Sequence, residues 1–123
     1  MANPVNWFEI PTKDLEKAIA FYSEVFGVSF EKMEMGPLNM AMIAGSDRET
    51  YGATGALVQA DGYVPSANGS VVYFGCDDVE IFLKKVEKAG GKTIQPKTSI
   101  GEHGFIAHFL DPEGNHVALH SMQ

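Results

Sequence analysis

The chain holds four histidines, His103, His108, His116 and His120, all between positions 103 and 120. Imidazole can ligate a divalent ion or carry a proton near neutral pH. The spacing of the four matches no compact zinc motif. His108 stands inside the β-like run IAHFL, where a satisfied core or cleft histidine is the ordinary outcome. His116 follows a turn and reads as a rim residue, and His103, in GEHG, reads as a loop residue. The roles of these three stay open. His120 and Glu9 fall by strand alternation on mixed, polar-and-apolar faces. Such a pair could act as base and orienting partner in proton abstraction. It could also contribute two ligands to a displaced metal site, or form a hydrogen bond on the wall of a polar cleft. We adopt the cleft wall without metal, and keep Glu9 and His120 as the candidate catalytic pair.

Trp7 and Tyr73 fall on the same mixed faces. An aromatic there could stack on a planar ligand, or plug the space and leave no pocket. Trp7, Glu9, Tyr73 and His120 are therefore the candidate binding residues. Met33, Met35, Met40 and Met42 alternate along two neighbouring strand candidates, and ordinary packing explains them better than an adaptable pocket. Cys76 precedes a predicted helix, where a thiol can be acidified; with no partner assignable, an inert thiol is expected. There is no Gly-rich phosphate loop and no supported Ser-His-Asp order.

The elements that must position these residues come twice. KDLEKAIAFYSEVFGVSF (13–30) and DDVEIFLKKVEKAGGKTI (77–94) match in kind at an offset of 64, with Asp14 against Asp78 and Gly27 against Gly91. Leu15, Ala18, Ile19, Tyr22 and Phe26, and Val79, Phe82, Leu83 and Val86, recur at helical spacing. Asp14 or Thr12 can cap the first helix, and Asp77 with Glu80 resembles a capping box. A β-like run precedes each helix, at 5–10 and 70–74. Three strand candidates follow each, at 28–35, 39–44 and 54–60, then 92–97, 104–110 and 116–120. Breaks fall at Gly36-Pro37, Gly45-Ser46-Asp47 and Asp111-Pro112-Glu113-Gly114-Asn115. The predicted plan is one module over about 1–62, a linker over about 61–69 and a second module over about 70–123. Apolar strand faces should cover the helices, and mixed faces should line a concave side.

A 123-residue chain with 45% hydrophobic residues can bury a real core. Its net charge of −7 argues against nucleic acid or an anionic membrane as a partner. One cysteine permits no internal disulfide, in keeping with a cytoplasmic setting. No apolar run is long enough to span a bilayer, and no signal-peptide pattern is seen.

The repeated strand–helix–three-strand unit, DLEKAIAFYSEVFG after the first strand and GFIAHFLDPEGNHVALHS near the end together resemble the vicinal oxygen chelate superfamily. That superfamily includes glyoxalase I, fosfomycin- and bleomycin-resistance proteins and extradiol dioxygenases. The resemblance implies an α+β fold of two tandem βαβββ modules forming a U-shaped mixed sheet around a cleft, with helices on the outer face. The cleft would be completed within one chain or by a second, and a homodimer is the default expectation. Metal-dependent members carry ligands on the first and last strand of each module. Those positions fall on Trp7, Val71 and Ala118, and near Thr54 to Ala56. None of these side chains suits a divalent ion, so the resemblance implies a glyoxalase/bleomycin-resistance-like protein binding a small organic molecule, with no cofactor. The alternatives are a lyase, isomerase or dioxygenase with a relocated divalent metal, drawing on Glu9 and His120 with His108 or His116, and a dimerising protein whose cleft is filled by its own side chains.

Overall fold

The computed structural model describes residues 3–45 and 52–123; Ser46 and Asp47 of the second predicted break lie outside them. In the first module β1 (Trp7–Pro11) leads into α1 (Leu15–Phe26), followed by β2 (Phe30–Met35), β3 (Leu38–Ile43) and β4 (Thr54–Gln59). In the second, β5 (Val72–Gly75) leads into α2 (Val79–Lys88), followed by β6 (Lys92–Ser99), a 3-10 turn at Gly101–His103, β7 (Phe105–Leu110) and β8 (His116–Ser121). The repeat read from sequence is the repeat of the fold.

Both helices begin at the aspartates that the offset aligns. Asp14 accepts the Lys17 N–H at 3.2 Å, which satisfies one donor left orphaned at the helix start. In α2 the cap is Asp78, which accepts the Glu80 N–H at 2.9 Å; the capping box expected at Asp77 lies one residue too early. Asp78 has the extended backbone (φ −151, ψ 115) that aims a short carboxylate at the first turn. Gly27 ends α1 with φ 67, its N–H donating to the Ser23 carbonyl at 2.9 Å, a left-handed step that costs glycine little.

The strands form two four-stranded sheets, ordered β1-β4-β3-β2 and β5-β8-β7-β6. β1 runs parallel to β4 and β5 parallel to β8, and the remaining neighbours are antiparallel. These two mixed ladders, one per module, make up the α+β arrangement of tandem βαβββ units expected from the resemblance. They meet through side chains: the Phe8 ring on β1 stands edge-on to Phe74 on β5, centroids 5.6 Å apart, and Phe26 of α1 stacks on Phe74 at 4.2 Å. One core joins both modules. It takes Leu15, Ala18, Phe21, Tyr22 and Val25 from α1, Val79, Leu83 and Val86 from α2, and the helix-facing residues Ile10, Leu57, Phe109, Val117 and Leu119 from the strands. Each large side chain buried this way contributes about 1.5–3 kcal/mol relative to exposure.

The Asp111–Asn115 turn ties the modules together. The buried Tyr22 hydroxyl donates to Asp111 Oδ2 at 2.8 Å. Asn115 Nδ2 donates to the same oxygen at 2.9 Å and to the Pro11 carbonyl at 2.8 Å. The Glu113 and Asn115 N–H groups donate to Asp111 Oδ1 at 3.0 and 2.9 Å. The Glu113 carboxylate accepts from the Thr12 hydroxyl and the Lys13 N–H, and Asn115 Oδ1 accepts the Ser66 N–H of the linker at 3.0 Å. The turn of the second module therefore holds the β1–α1 junction of the first. Gly114 sits at φ 90, where a side chain would strain the turn.

Candidate functional site

Strand alternation decides which side chains point away from the helices. Leu57, Val117 and Leu119 belong to the helix-side core, whereas their buried neighbours Ala56 and Ala118 do not. The ladder makes those two alanines equivalent: Glu9 is the partner of Ala56, and Tyr73 the partner of Ala118. This settles the register left open between Thr54 and Ala56. Trp7 partners Thr54 and projects with Glu9 onto the helix-free face. Val71 immediately precedes β5. The metal positions that the resemblance implies are therefore Trp7, Ala56, Val71 and Ala118. An indole, an isopropyl group and two methyls offer no ligand for a divalent ion. These residues do not fit the superfamily's metal.

Trp7 and Glu9 are brought together. Trp7 Nε1–H donates to Glu9 Oε2 at 3.3 Å, and the Tyr63 hydroxyl donates to Glu9 Oε1 at 3.1 Å. The carboxylate pushes the exposed Tyr63 phenol above its ordinary pKa by accepting that bond and by its charge. Trp7 keeps 37% of its surface exposed. Beside this trio Met40, Ala56 and Val58 form a small apolar cluster on which Met42 and Tyr63 pack. Met40 and Met42 thus serve as packing, whereas Met33 is 42% exposed on β2 and does not.

Tyr73 belongs to a second group. It is 49% exposed, and its hydroxyl lies 3.1 Å from His108 Nε2. His108 Nδ1 lies 2.7 Å from His116 Nε2. The β7–β8 register explains the meeting: His108 faces Ala118 and Leu110 faces His116, so the two imidazoles are diagonal neighbours on one face. Partial burial, and secondarily the His116 charge, lower the pKa of His108, which favours its neutral form.

His120 joins neither group. Its Nε2 donates to the His103 carbonyl at 2.7 Å, while Glu9 is bonded to Trp7 and Tyr63. No hydrogen bond links Glu9 to His120 among the described residues. Cys76 donates its thiol to the His120 carbonyl at 3.6 Å. Burial first, then the charges of Asp78 and Asp77, push that thiol up to about 11, so proximity to a helix start does not activate it. Two open grooves, of about 470 and 330 Å³, lie nearer the start of α1 and share Asn39 and Gln59; neither is lined by Trp7, Glu9, Tyr73 or His120.

Pattern and spacing mark neither Tyr63 nor the contact of His108 with His116. The second was accessible in principle: a turn closing Asp111 on Asn115 aligns 110 with 116 and 108 with 118. Tyr63 lies in the linker, where no periodicity shows direction.

The family profile described as Glyoxalase/Bleomycin resistance protein/Dioxygenase superfamily matches residues 5–119. A glyoxylase-like domain-containing protein of Didymella fabae is 32% identical over 121 residues, covering 94% of this chain and 91% of that protein. The crystal structure of a glyoxylase/bleomycin resistance protein/dioxygenase domain from Frankia sp. EAN1pec superposes with a TM-score of 0.76 at 15% identity, covering both chains in full (100% and 100%). Glyoxalase I from Zea mays superposes with a TM-score of 0.72 at 24% identity over 96% of this chain. The chain spans 46% of that enzyme's length, and these structural likenesses speak for the fold alone.

Proposed function

Since the chain belongs to the glyoxalase/bleomycin resistance protein/dioxygenase superfamily, we propose that it binds a small, flat organic molecule on its helix-free face, without a metal at the superfamily's usual position. The observation that carries this reading is a pair of half-exposed aromatics on that face, each held by a hydrogen bond at its polar tip: Trp7 by Glu9 and Tyr73 by His108. A ring fixed in orientation loses little freedom when it stacks on a ligand, and the adjoining phenol, carboxylate and imidazoles can read polar substituents. The edge-on contact of Phe8 with Phe74 supports treating the opposite faces of β1 and β5 as one surface. Ligand selectivity then comes from Glu9, Tyr73 and the histidines beside them.

Tyr63 supports the competing reading of a face filled by the chain's own side chains, because it packs on the Met40, Ala56 and Val58 cluster. Thermal melting against a panel of aromatic carboxylates and phenols separates the two. A ligand at 100 times its dissociation constant stabilises the folded state by about 2.7 kcal/mol. At least one compound should raise the melting temperature, and Trp7→Ala should abolish that rise while the variant stays folded. A panel without effect, or a Trp7→Ala protein that no longer folds, supports the filled face.

A further inference from the structure

We propose that His108 and His116 form a binding site for one divalent transition-metal ion of the Cu²⁺, Ni²⁺ or Zn²⁺ class, displaced by one strand and two residues from the superfamily position at Ala118. The inference does not depend on the organic-ligand reading. His108 Nδ1 and His116 Nε2 lie 2.7 Å apart. Two neutral imidazoles hold that geometry with one proton between them. Metal–nitrogen bonds of about 2.0–2.1 Å place two nitrogens on one tetrahedral ion about 3.3 Å apart. With the shared proton moved to the far nitrogen of its own ring, so that both imidazoles stay neutral, admitting an ion asks for a separation of roughly half an ångström, which small side-chain rotations supply.

The other nitrogen of His108 strengthens the case. Nε2 lies 3.1 Å from the Tyr73 hydroxyl. With Nδ1 on the ion, Nε2 carries the proton and donates it to the phenol oxygen. A ligating histidine usually has such an outer partner, which fixes its tautomer and ring orientation. Ala118, ladder partner of both Tyr73 and His108, adds no bulk between them. Both histidines are half-buried and Tyr73 is exposed, so remaining coordination positions open to water or to a chelating ligand. Imidazole without carboxylate favours copper, nickel and zinc over calcium and magnesium, and the chain's charge of −7 favours cations in general.

The test is calorimetric titration of the untagged, chelator-treated full chain with CuSO₄ and with NiCl₂ at pH 7.5, alongside the Cu²⁺ electron paramagnetic resonance spectrum of the wild type. We expect one ion per chain and a spectrum with coupling to two nitrogens. His108→Ala and His116→Ala should each weaken binding at least tenfold, Tyr73→Phe should weaken it less, and His103→Ala and His120→Ala should leave it unchanged. MgCl₂ and CaCl₂ should give no binding heat. The proposal is overturned by an absence of binding, by several weak ions per chain, by coupling to a single nitrogen, or by a His103→Ala loss equal to that of His116→Ala. Should an alanine variant fail to fold, the wild-type spectrum and His116→Gln decide.

Discussion

The Tyr22 hydroxyl donates to the Asp111 carboxylate across 2.8 Å, inside a core where both residues are nearly sealed from solvent. The first module supplies the phenol and the second supplies the carboxylate. The bond therefore sets how the modules, and the aromatics that each carries on its helix-free face, sit relative to one another.

Breaking it should be costly. Asp111→Ala strands the Tyr22 hydroxyl and two turn N–H groups, and leaves the Asn115 amide only its bond to the Pro11 carbonyl. Buried donors without acceptors cost about 1–3 kcal/mol each when nothing relaxes, so we expect a loss of about 3 kcal/mol after relaxation. Tyr22→Phe removes one donor and leaves Asp111 its other partners, for a loss of about 1 kcal/mol. Urea unfolding of the two variants checks the order; equal losses would contradict the turn's central place.

The same contact predicts an alkaline limit. Burial, then the Asp111 charge and hydrogen bond, raise the Tyr22 phenol well above its ordinary value of 10.0. A folded pKa above the unfolded one means that the unfolded chain releases this proton first. Its contribution to stability is complete below pH 10 and is lost as pH rises through the folded value. Wild-type melting temperature should fall above about pH 10, and the Tyr22→Phe profile should be flatter in that window.

Cys76 should be a poor nucleophile. With its pKa near 11, about one thiol in a thousand is ionised at pH 8. Reaction of the native protein with a disulfide reagent at that pH should be slower than in urea by about two orders of magnitude or more. Comparable native and unfolded rates would contradict the assigned environment.

Gly91 should not tolerate a side chain. An added Cβ would meet Val86 Cγ1 at 2.6 Å, the Leu110 carbonyl at 3.0 Å and Phe21 at 3.1 Å. Gly91→Ala should cost about 1–3 kcal/mol through overpacking where α2 turns into β6, measurable by thermal melting.

Much of this was legible in the sequence. Helical spacing in Leu15, Ala18 and Tyr22, and in Val79, Leu83 and Val86, marks the buried faces, and the offset of 64 pairs Asp14 with Asp78, the two true caps. Alternation separates Val117 and Leu119 from Ala118 correctly. Sequence cannot show which polar tips meet. Glu9 finds Trp7 and a linker tyrosine, and His120 turns to a backbone carbonyl, because hydrogen bonds between distant segments depend on register and loop path. The Asp-Pro-x-Gly-Asn pattern reads as a local turn, and its long-range grip on Tyr22, Pro11 and Ser66 becomes visible only in three dimensions.

Trp7 is the chain's one tryptophan, so its fluorescence reports on the proposed binding face without labelling. Titration with the compounds that raise the melting temperature should change that emission saturably, with a dissociation constant matching the thermal shift, and Tyr73→Ala should weaken it about tenfold or more. Emission that stays constant while those compounds stabilise the protein would place the ligand elsewhere and contradict the account.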